Sequence, residues 1–196
     1  MKKIIYIVFS LGLLLSTAAQ AQSLFSMQYS MGFGSGDVKD YINNASFRGF
    51  TLEYRNMVTP NIGVGGEIGW NVFYERRPYD SYTNGTQTLT GVQYRYLNMI
   101  PINVAVDYYL KPGEHINPFV GLGIGTLYSL RNTDMNLYTL ETDAWHFGLR
   151  PEVGILVNAN PGMDIILAGK YYTGFETSDV VTQSYFTFNV GFVFKN

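Results

Sequence analysis

The chain has 196 residues and a formal net charge of −2, and it contains no cysteine. The near balance of charge argues against a nucleic-acid partner, and the lack of cysteine excludes disulfides and a lipid-modified cysteine. Charged residues make up only 14% of the chain, against roughly 25% in soluble domains, while aromatic residues make up 16%, which suits a sheet that meets lipid.

The N-terminus has the layout of a secretory signal peptide. Two lysines precede an apolar run from Ile4 to Leu15, and Ala19-Gln20-Ala21 forms a small-residue cleavage box. The run is too short, and wrongly flanked, for a spanning helix. We therefore predict a cleaved signal peptide over residues 1–21 and a single domain over residues 22–196.

Eight segments of this domain alternate apolar and polar side chains with a period of two, which predicts strands with one apolar face. In chain order the predicted strands cover about 24–34, 46–56, 62–74, 92–110, 119–130, 144–158, 163–175 and 186–194. The last strand places four phenylalanines on one face, opposite small or polar residues. Pro101, inside the fourth strand, predicts a bulge or bend because proline cannot donate to a ladder.

The connections between these strands alternate in length. Polar loops are predicted after the first, third, fifth and seventh strands, at 35–45, 75–91, 131–143 and 176–182, whereas the other connections are short. No apolar run after the signal peptide is long enough for a spanning helix, so only a closed barrel could satisfy the backbone in lipid. The pattern predicts an all-β, eight-stranded antiparallel up-and-down transmembrane β-barrel, with long loops outside and short turns in the periplasm.

The few charges within the predicted strands share the face opposite the apolar stripe. They are Glu53, Arg55, Glu67, Arg95, Asp107, Arg150, Glu152 and Lys170. Four acidic and four basic groups predict a packed, ion-paired lumen, because unpaired buried charge is costly. A soluble barrel of the lipocalin type, with the apolar face inside, is disfavoured because its exterior would be lined by bare glycines.

Two stretches, Tyr96–Leu110 and Pro118–Thr126, and the aromatic last strand resemble the small outer-membrane β-barrel family of the OmpA/OmpX type, in the stand-alone form common in Bacteroidetes. The resemblance covers the whole predicted domain. It implies residence in the cell outer membrane, contact with outer-membrane lipids and lipopolysaccharide, and recognition by the barrel assembly machinery. The family's assembly signal usually ends on an aromatic residue, whereas here Lys195 and Asn196 follow Phe194.

We expect a monomer without catalytic residues, cofactor or metal, whose role is structural, in envelope integrity, or binding through the outer loops. The loop at 75–91 carries Arg76 and Arg77 near the predicted outer rim. Guanidinium groups bind phosphate with charge-assisted hydrogen bonds. These two arginines are therefore candidate contacts for lipopolysaccharide.

Two other functions stay open at this point. A lipid A-modifying enzyme would need a nucleophile, a base and an acid. The only set that the sequence offers combines His146, Asp143 or Asp179, and Ser178 or Ser184. Alternatively, the lumen charges could line a narrow channel, although an eight-stranded barrel is just wide enough for side chains to fill it.

Overall fold

The computed structural model describes residues 22–84, 87–177 and 180–196, and the predicted signal peptide lies outside them. In these ranges eight strands form a closed barrel in which each is antiparallel to its neighbours. They are β1 (Ser23–Ser35), β2 (Gly49–Thr59), β3 (Ile62–Asn84), β4 (Gln87–Tyr109), β5 (Ile116–Met135), β6 (Tyr138–Asn160), β7 (Met163–Gly174) and β8 (Gln183–Lys195). The predicted eight-stranded, up-and-down architecture is confirmed.

The apolar face of the sheet points outward. Phe192 is 50% exposed and Val104 is 61% exposed, whereas their neighbours Val193 and Ala105 are buried. The pleat sends successive side chains to opposite faces, so this alternation continues along each strand. The orientation is that of a membrane barrel, and a lipocalin-like interior is excluded.

Two of the predicted outer loops are strands instead. β3 and β4 stay paired as far as Asn84↔Gln87, and β5 and β6 stay paired as far as Met135↔Tyr138. The polarity of these segments reflects water on both faces rather than irregular backbone, and their threonines and tyrosines favour strands. Over their described residues, the predicted loops at 75–91 and 131–143 are therefore wrong in conformation, although not in position.

Pro101 and Pro78 affect the register of the β3–β4 ladder differently from the prediction. The β3–β4 ladder lacks pairs opposite Pro101, but Ile68↔Ile102 and Asn71↔Met99 keep the same register on either side. The register shift lies instead between Arg77 and Asp80, around Pro78. Proline at an edge or bulge leaves a ladder intact elsewhere, and β3 is an edge strand at that height.

The barrel is taller on one side than on the other. β2 begins opposite Asn71 of β3, and the pairing of β6 with β7 ends at Gly148↔Gly174. Beyond these points, β3, β4, β5 and β6 are the only strands that continue in the described part of the chain. We call this four-stranded extension the outer sheet; it comprises residues 72–84, 87–98, 130–135 and 138–147.

A short helix, α1 (Asp37–Tyr41), lies in the connection between β1 and β2, where a loop is predicted. Gly36 adopts a φ of 54°, which favours glycine, and turns the chain into the helix. Val38 and Ile42 are fully buried at the outer end of the lumen. Within the described residues, no helix is long and apolar enough to cross a membrane.

Candidate functional site

The middle of the lumen is organised around Lys170. Its Nζ lies 3.0 Å from Glu67 Oε2 and 3.8 Å from Glu152 Oε1, and it also pairs with Glu53. Glu53 in turn lies 3.5 Å from Arg55 Nη2. Because Lys170 is fully buried, three surrounding carboxylates compensate the loss of water around its ammonium group.

Two arginines complete this charge network. Arg150 Nε lies 3.1 Å from Glu67 Oε2, and the same guanidinium pairs with Glu152. Arg55 Nε donates to Asp107 Oδ2 at 2.6 Å. The network therefore joins seven of the eight predicted lumen charges on five strands, β2, β3, β4, β6 and β7.

Neutral side chains donate further hydrogen bonds to two of the carboxylates. The Tyr172 hydroxyl donates to Glu67 at 2.9 Å, and the Gln28 amide donates to Glu53 at 2.8 Å. Oxygens of Glu53, Glu67 and Glu152 lie within 4.8 Å of one another. The ammonium group of Lys170 pairs with all three, so it holds the place that a cation would take.

Glycines on β5 make room for this network. A Cβ on Gly121 would clash with Asp107 Oδ1, and one on Gly123 would lie 3.0 Å from Arg150 Nε. A glycine at every second position thins the lumen face of the strand. The Gly-x-Gly-x-Gly pattern of this strand thus accommodates long charged side chains from its neighbours.

Arg95 does not belong to the network, contrary to the prediction. It faces the barrel axis but lies higher, in the outer sheet, opposite Glu75. Its Nε donates to Gln93 Oε1 at 2.7 Å, and its Nη1 donates to the backbone oxygen of Tyr41 at 2.9 Å. The alternation of a strand gives the face of a residue, but not its height along the barrel.

Apolar layers close the lumen above and below the charges. The outer apolar layer consists of Val38, Ile42, Phe73, Leu97, Met99, Leu127, Tyr172 and Tyr185, all buried. The inner apolar layer consists of Leu24, Tyr109, Phe119, Leu156, Ile166, Ala168 and Val193. In the outer layer the rings of Tyr172 and Tyr185 stack at 4.8 Å. The lumen is therefore filled from end to end by an apolar, a charged and a second apolar layer.

The described residues among those proposed for a lipid A-modifying site do not come together. His146 is buried, with Nε2 3.0 Å from Ser129 Oγ and Nδ1 2.9 Å from the backbone oxygen of Phe175. Asp143 is exposed and accepts a hydrogen bond from a tyrosine on the outer wall. Ser184 bonds to a threonine hydroxyl.

The other two candidates of that set, Ser178 and Asp179, lie outside the described residues. Ser129 was missed as the histidine's partner. It lies on β5, the strand that pairs with β6, where the register places Leu127 opposite His146. Only the strand register, which the sequence does not fix, could have identified it.

Arg76 and Arg77 point to opposite faces of β3, as adjacent residues of a strand must. Arg76 is exposed on the outer wall. Arg77 faces the inner side of the outer sheet, where its Nε lies 3.3 Å from Glu75 Oε1. The two arginines therefore do not point at one common site, and the lipopolysaccharide contact predicted for them stays a prediction.

The concave side of the outer sheet encloses a cavity of about 520 Å³, which we call the outer cup. Its most distinctive lining residues are Arg77, Arg95, Arg131, Tyr41, Tyr82 and Tyr138. Among the described residues, no acidic side chain lines this cavity. The cup thus combines positive charge with tyrosine rings above the closed lumen.

Tyr41 of α1 forms the floor of the cup and holds two of its arginines. The Arg95 and Arg131 guanidinium carbons lie 4.8 Å and 4.1 Å from the centre of its ring, which are cation–π distances. Burial raises the pKa of the Tyr41 phenol, against the opposing effects of Thr133 and the two arginines. The hydroxyl therefore stays protonated and donates to the backbone oxygen of Asn132 at 2.9 Å.

Comparison with known proteins points to one family. Residues 7–194 match the outer membrane protein beta-barrel domain. The fold is similar to that of Ail, the attachment invasion locus protein of Yersinia pestis, which was solved in complex with the heparin analogue sucrose octasulfate. The TM-score is 0.58 and the sequence identity is 16%, and the match covers 90% of this chain and 99% of Ail.

Two further solved structures share the fold. Neisserial surface protein A matches at a TM-score of 0.52 and 11% identity, over 90% of this chain and 97% of that protein. The outer membrane protease OmpT from Escherichia coli matches at a TM-score of 0.51 and 8% identity, over 90% and 95%. No curated protein matches the chain. At these identities the structural matches show the fold alone.

The network makes a prediction about stability. Replacing Lys170 by Met leaves the carboxylates around it without their shared cation, which we expect to cost about 3–5 kcal/mol of unfolding free energy. Arg95→Met, a cationic residue on the same lumen side but outside the network, should cost less than about 1 kcal/mol. Urea unfolding in lipid bilayers measures both, and equal losses would contradict the central role of Lys170.

Proposed function

The chain belongs to the outer membrane β-barrel protein family and lies in the cell outer membrane, and we propose that it is a closed, non-enzymatic barrel that presents a binding platform outside the cell. The observation that carries this proposal is the outer sheet. Four strands continue beyond a lumen that is already filled, and their concave side stays open. Function commonly lies on outer segments held by a rigid scaffold.

The filled lumen supports a non-conducting barrel over a narrow channel. A permeating ion would have to pass two apolar layers and displace Lys170 or Arg150 from paired carboxylates. Eight strands leave little free space inside. The charges act as a structural plug in this proposal.

The arrangement around His146 supports a non-enzymatic role. The imidazole is buried, and both of its nitrogens lie within hydrogen-bond distance of Ser129 or a backbone oxygen. Asp143 faces away from it on the outer wall. A nucleophile and its base need mutual contact and access to a substrate, and burial of the Ser129–His146 pair denies such access. We assign this pair a structural role.

We also propose that Arg76 contacts lipopolysaccharide phosphate. It shares the outer wall with Tyr74, two residues nearer the membrane, whose ring centre lies 5.0 Å from that of Tyr96 in a tilted contact. Arg48 lies over the same Tyr74 ring at 5.9 Å. Aromatic rings mark the interface level of a membrane barrel. Arg76 and Arg48 therefore form a basic strip where headgroup phosphates would lie.

The barrel assembly machinery is the other partner that we propose, through β8. This strand keeps its phenylalanines on the outer wall, and Phe194 is 44% exposed. Lys195, which follows it, pairs with Asp164 at 2.6 Å. The residue after the terminal aromatic is thus engaged within the barrel. We propose that the folded protein works as a monomer, because its sheet closes on itself.

Conductance tests the closed lumen. Purified protein inserted in planar bilayers should give no steady current, because the apolar layers and the charge network leave no continuous water path. A porin inserted under the same conditions is the positive control. Steady, large open-channel currents from this protein would contradict the plug.

A trimmed variant tests the platform. Residues 78–92 and 134–139 are each replaced by Asn-Gly, which joins the paired residues Arg77↔Gln93 and Thr133↔Leu140 by a two-residue hairpin turn. Cells displaying equal amounts of full-length or trimmed protein are then compared for attachment to acidic, neutral and basic polysaccharide coatings. Full-length protein should raise attachment to at least one coating, and the trimmed variant should not. Equal attachment on every coating would refute the platform.

The two adjacent arginines provide a matched test of the lipopolysaccharide contact. Arg76→Ala should weaken binding of lipid A, the phosphate-bearing part of lipopolysaccharide without its core sugars, in nanodiscs about two- to fivefold, since an exposed charged contact contributes at most about 1 kcal/mol. Arg77→Ala removes the same charge from the opposite face and should leave binding unchanged. Equal effects of the two substitutions would show that only net charge matters.

A further inference from the structure

We infer that the outer cup is a binding site for an acidic sugar, one that carries a carboxylate, sulfate or phosphate group. This inference rests on the proposed platform and names the ligand class of its concave side. Four features of the cup support it: arginines without ion-pair partners, the fixed position of these arginines, the size of the cavity and the polarity of its walls.

Among the described residues, two of the three arginines in the cup form no ion pair with a carboxylate, although Asp37 acts on Arg131 and Glu75 on Arg95 from farther away. Arg77 has an acidic partner in Glu75. Arg95 donates instead to an amide oxygen and a backbone oxygen, both neutral. Arg131 rests on the Tyr41 ring, and among the described residues its buried Nη2 has no hydrogen-bond acceptor. A buried donor without an acceptor is costly, so hydrogen bonds within the protein do not fully satisfy this guanidinium.

The arginines are held in place before any ligand binds. Tyr41 fixes both Arg95 and Arg131 through its ring, and its hydroxyl contacts Thr133 at 2.6 Å. α1 is anchored in turn by Val38 and Ile42, which are fully buried in the outer apolar layer. Binding to a preorganised site loses little side-chain entropy, so the charge of the cup is available for affinity.

The size and walls of the cup favour a sugar over a bare ion. Its volume of about 520 Å³ falls within the roughly 300–1,000 Å³ of small-molecule sites, far more than one phosphate or sulfate fills. Tyr82 lies on the β3 side and Tyr138 on the β6 side, and Thr133 and Thr142 line the wall beside Arg131. Tyrosines and threonines offer apolar surface and hydrogen bonds together, as a pyranose requires.

Guanidinium geometry selects the acidic group. The planar fork of arginine binds carboxylate, sulfate or phosphate with two parallel hydrogen bonds. Arg95 and Arg131 flank the same tyrosine ring, so one anionic group above that ring could meet both. Two sources could supply this chemistry: acidic core sugars of lipopolysaccharide in the same membrane, or an acidic polysaccharide from outside.

The test uses full-length protein in phospholipid nanodiscs and isothermal titration calorimetry. The probes are a disaccharide with one carboxylate and one sulfate, the neutral disaccharide cellobiose, and inorganic sulfate. The acidic disaccharide should bind saturably, at least about tenfold more tightly than sulfate, and cellobiose should not bind. Sulfate binding as tightly as the disaccharide would make the cup a simple anion site and overturn the sugar assignment.

Matched variants locate the binding site. Arg131→Gln and, separately, Arg95→Gln should each weaken binding of the acidic disaccharide by about tenfold, the loss of one charge-assisted contact. Arg76→Gln makes the same charge change on the outer wall and should stay within about twofold. Heat-modified mobility on gels checks that every variant is folded. Equal weakening by Arg76→Gln and Arg131→Gln, or no saturable binding by the wild type, would overturn the inference.

Nanodiscs with and without lipopolysaccharide distinguish the two sources. If core sugars occupy the cup, lipopolysaccharide in the disc should compete with the disaccharide and raise its apparent Kd at least about fivefold; unchanged affinity assigns the cup to an external sugar. The attachment assay separates this inference from the platform. If attachment requires the outer sheet but does not depend on acidic sugars, only the acidic-sugar site in the outer cup is refuted. If the trimmed variant attaches as well as the full-length protein, the proposed binding platform itself is refuted.

Discussion

The pairing of β1 with β8 is the constraint on which the other features of this protein depend. Hydrocarbon offers no hydrogen bonds, so a sheet in lipid must close on itself to satisfy its backbone. The ladder from Leu24↔Lys195 to Ser35↔Ser184 achieves this closure with eight strands. A ring of that size has a narrow interior, and the pleat turns every second residue into it. Charged side chains on that face are then buried by geometry, and they persist only because they pair.

The layered lumen follows from this narrowness. Long side chains such as Arg150 and Lys170 fill the centre, where glycines of β5 leave space for them. Nearer the outer end the ring is covered by α1, and apolar side chains replace the charged ones. Apolar packing there excludes water from the ion pairs, which strengthens each pair but also raises the cost of losing a partner. The charge network is therefore a feature of structure, and the chemistry accessible to ligands lies above it.

The sequence was sufficient to predict which face of the barrel wall each strand residue occupies, but not the height of that residue along the barrel axis. Alternation alone assigns Phe192 outward and Lys170 inward, since a one-residue slip would reverse the whole strand. Arg95 obeys the same alternation, yet its height depends on the shear of the ring, which no single strand encodes. The outer hairpins were missed because polar composition resembles that of loops, although Thr88 and Thr90 belong to a regular ladder. The cup combines both difficulties, since its arginines come from three strands whose relative heights were unknown.

The short helix α1 connects the closed and the open halves of the molecule. Val38 and Ile42 face the lumen and complete its outer apolar layer, while Tyr41 faces the cup and carries two guanidinium groups. One turn of helix therefore covers the filled lumen and also forms the floor of the outer cup. Without the apolar contacts below it, the tyrosine ring would not be fixed, and two arginines near each other would repel rather than hold a common position. Closure of the lumen is thus a physical condition for an ordered site outside it, and the filled barrel contributes to binding through rigidity.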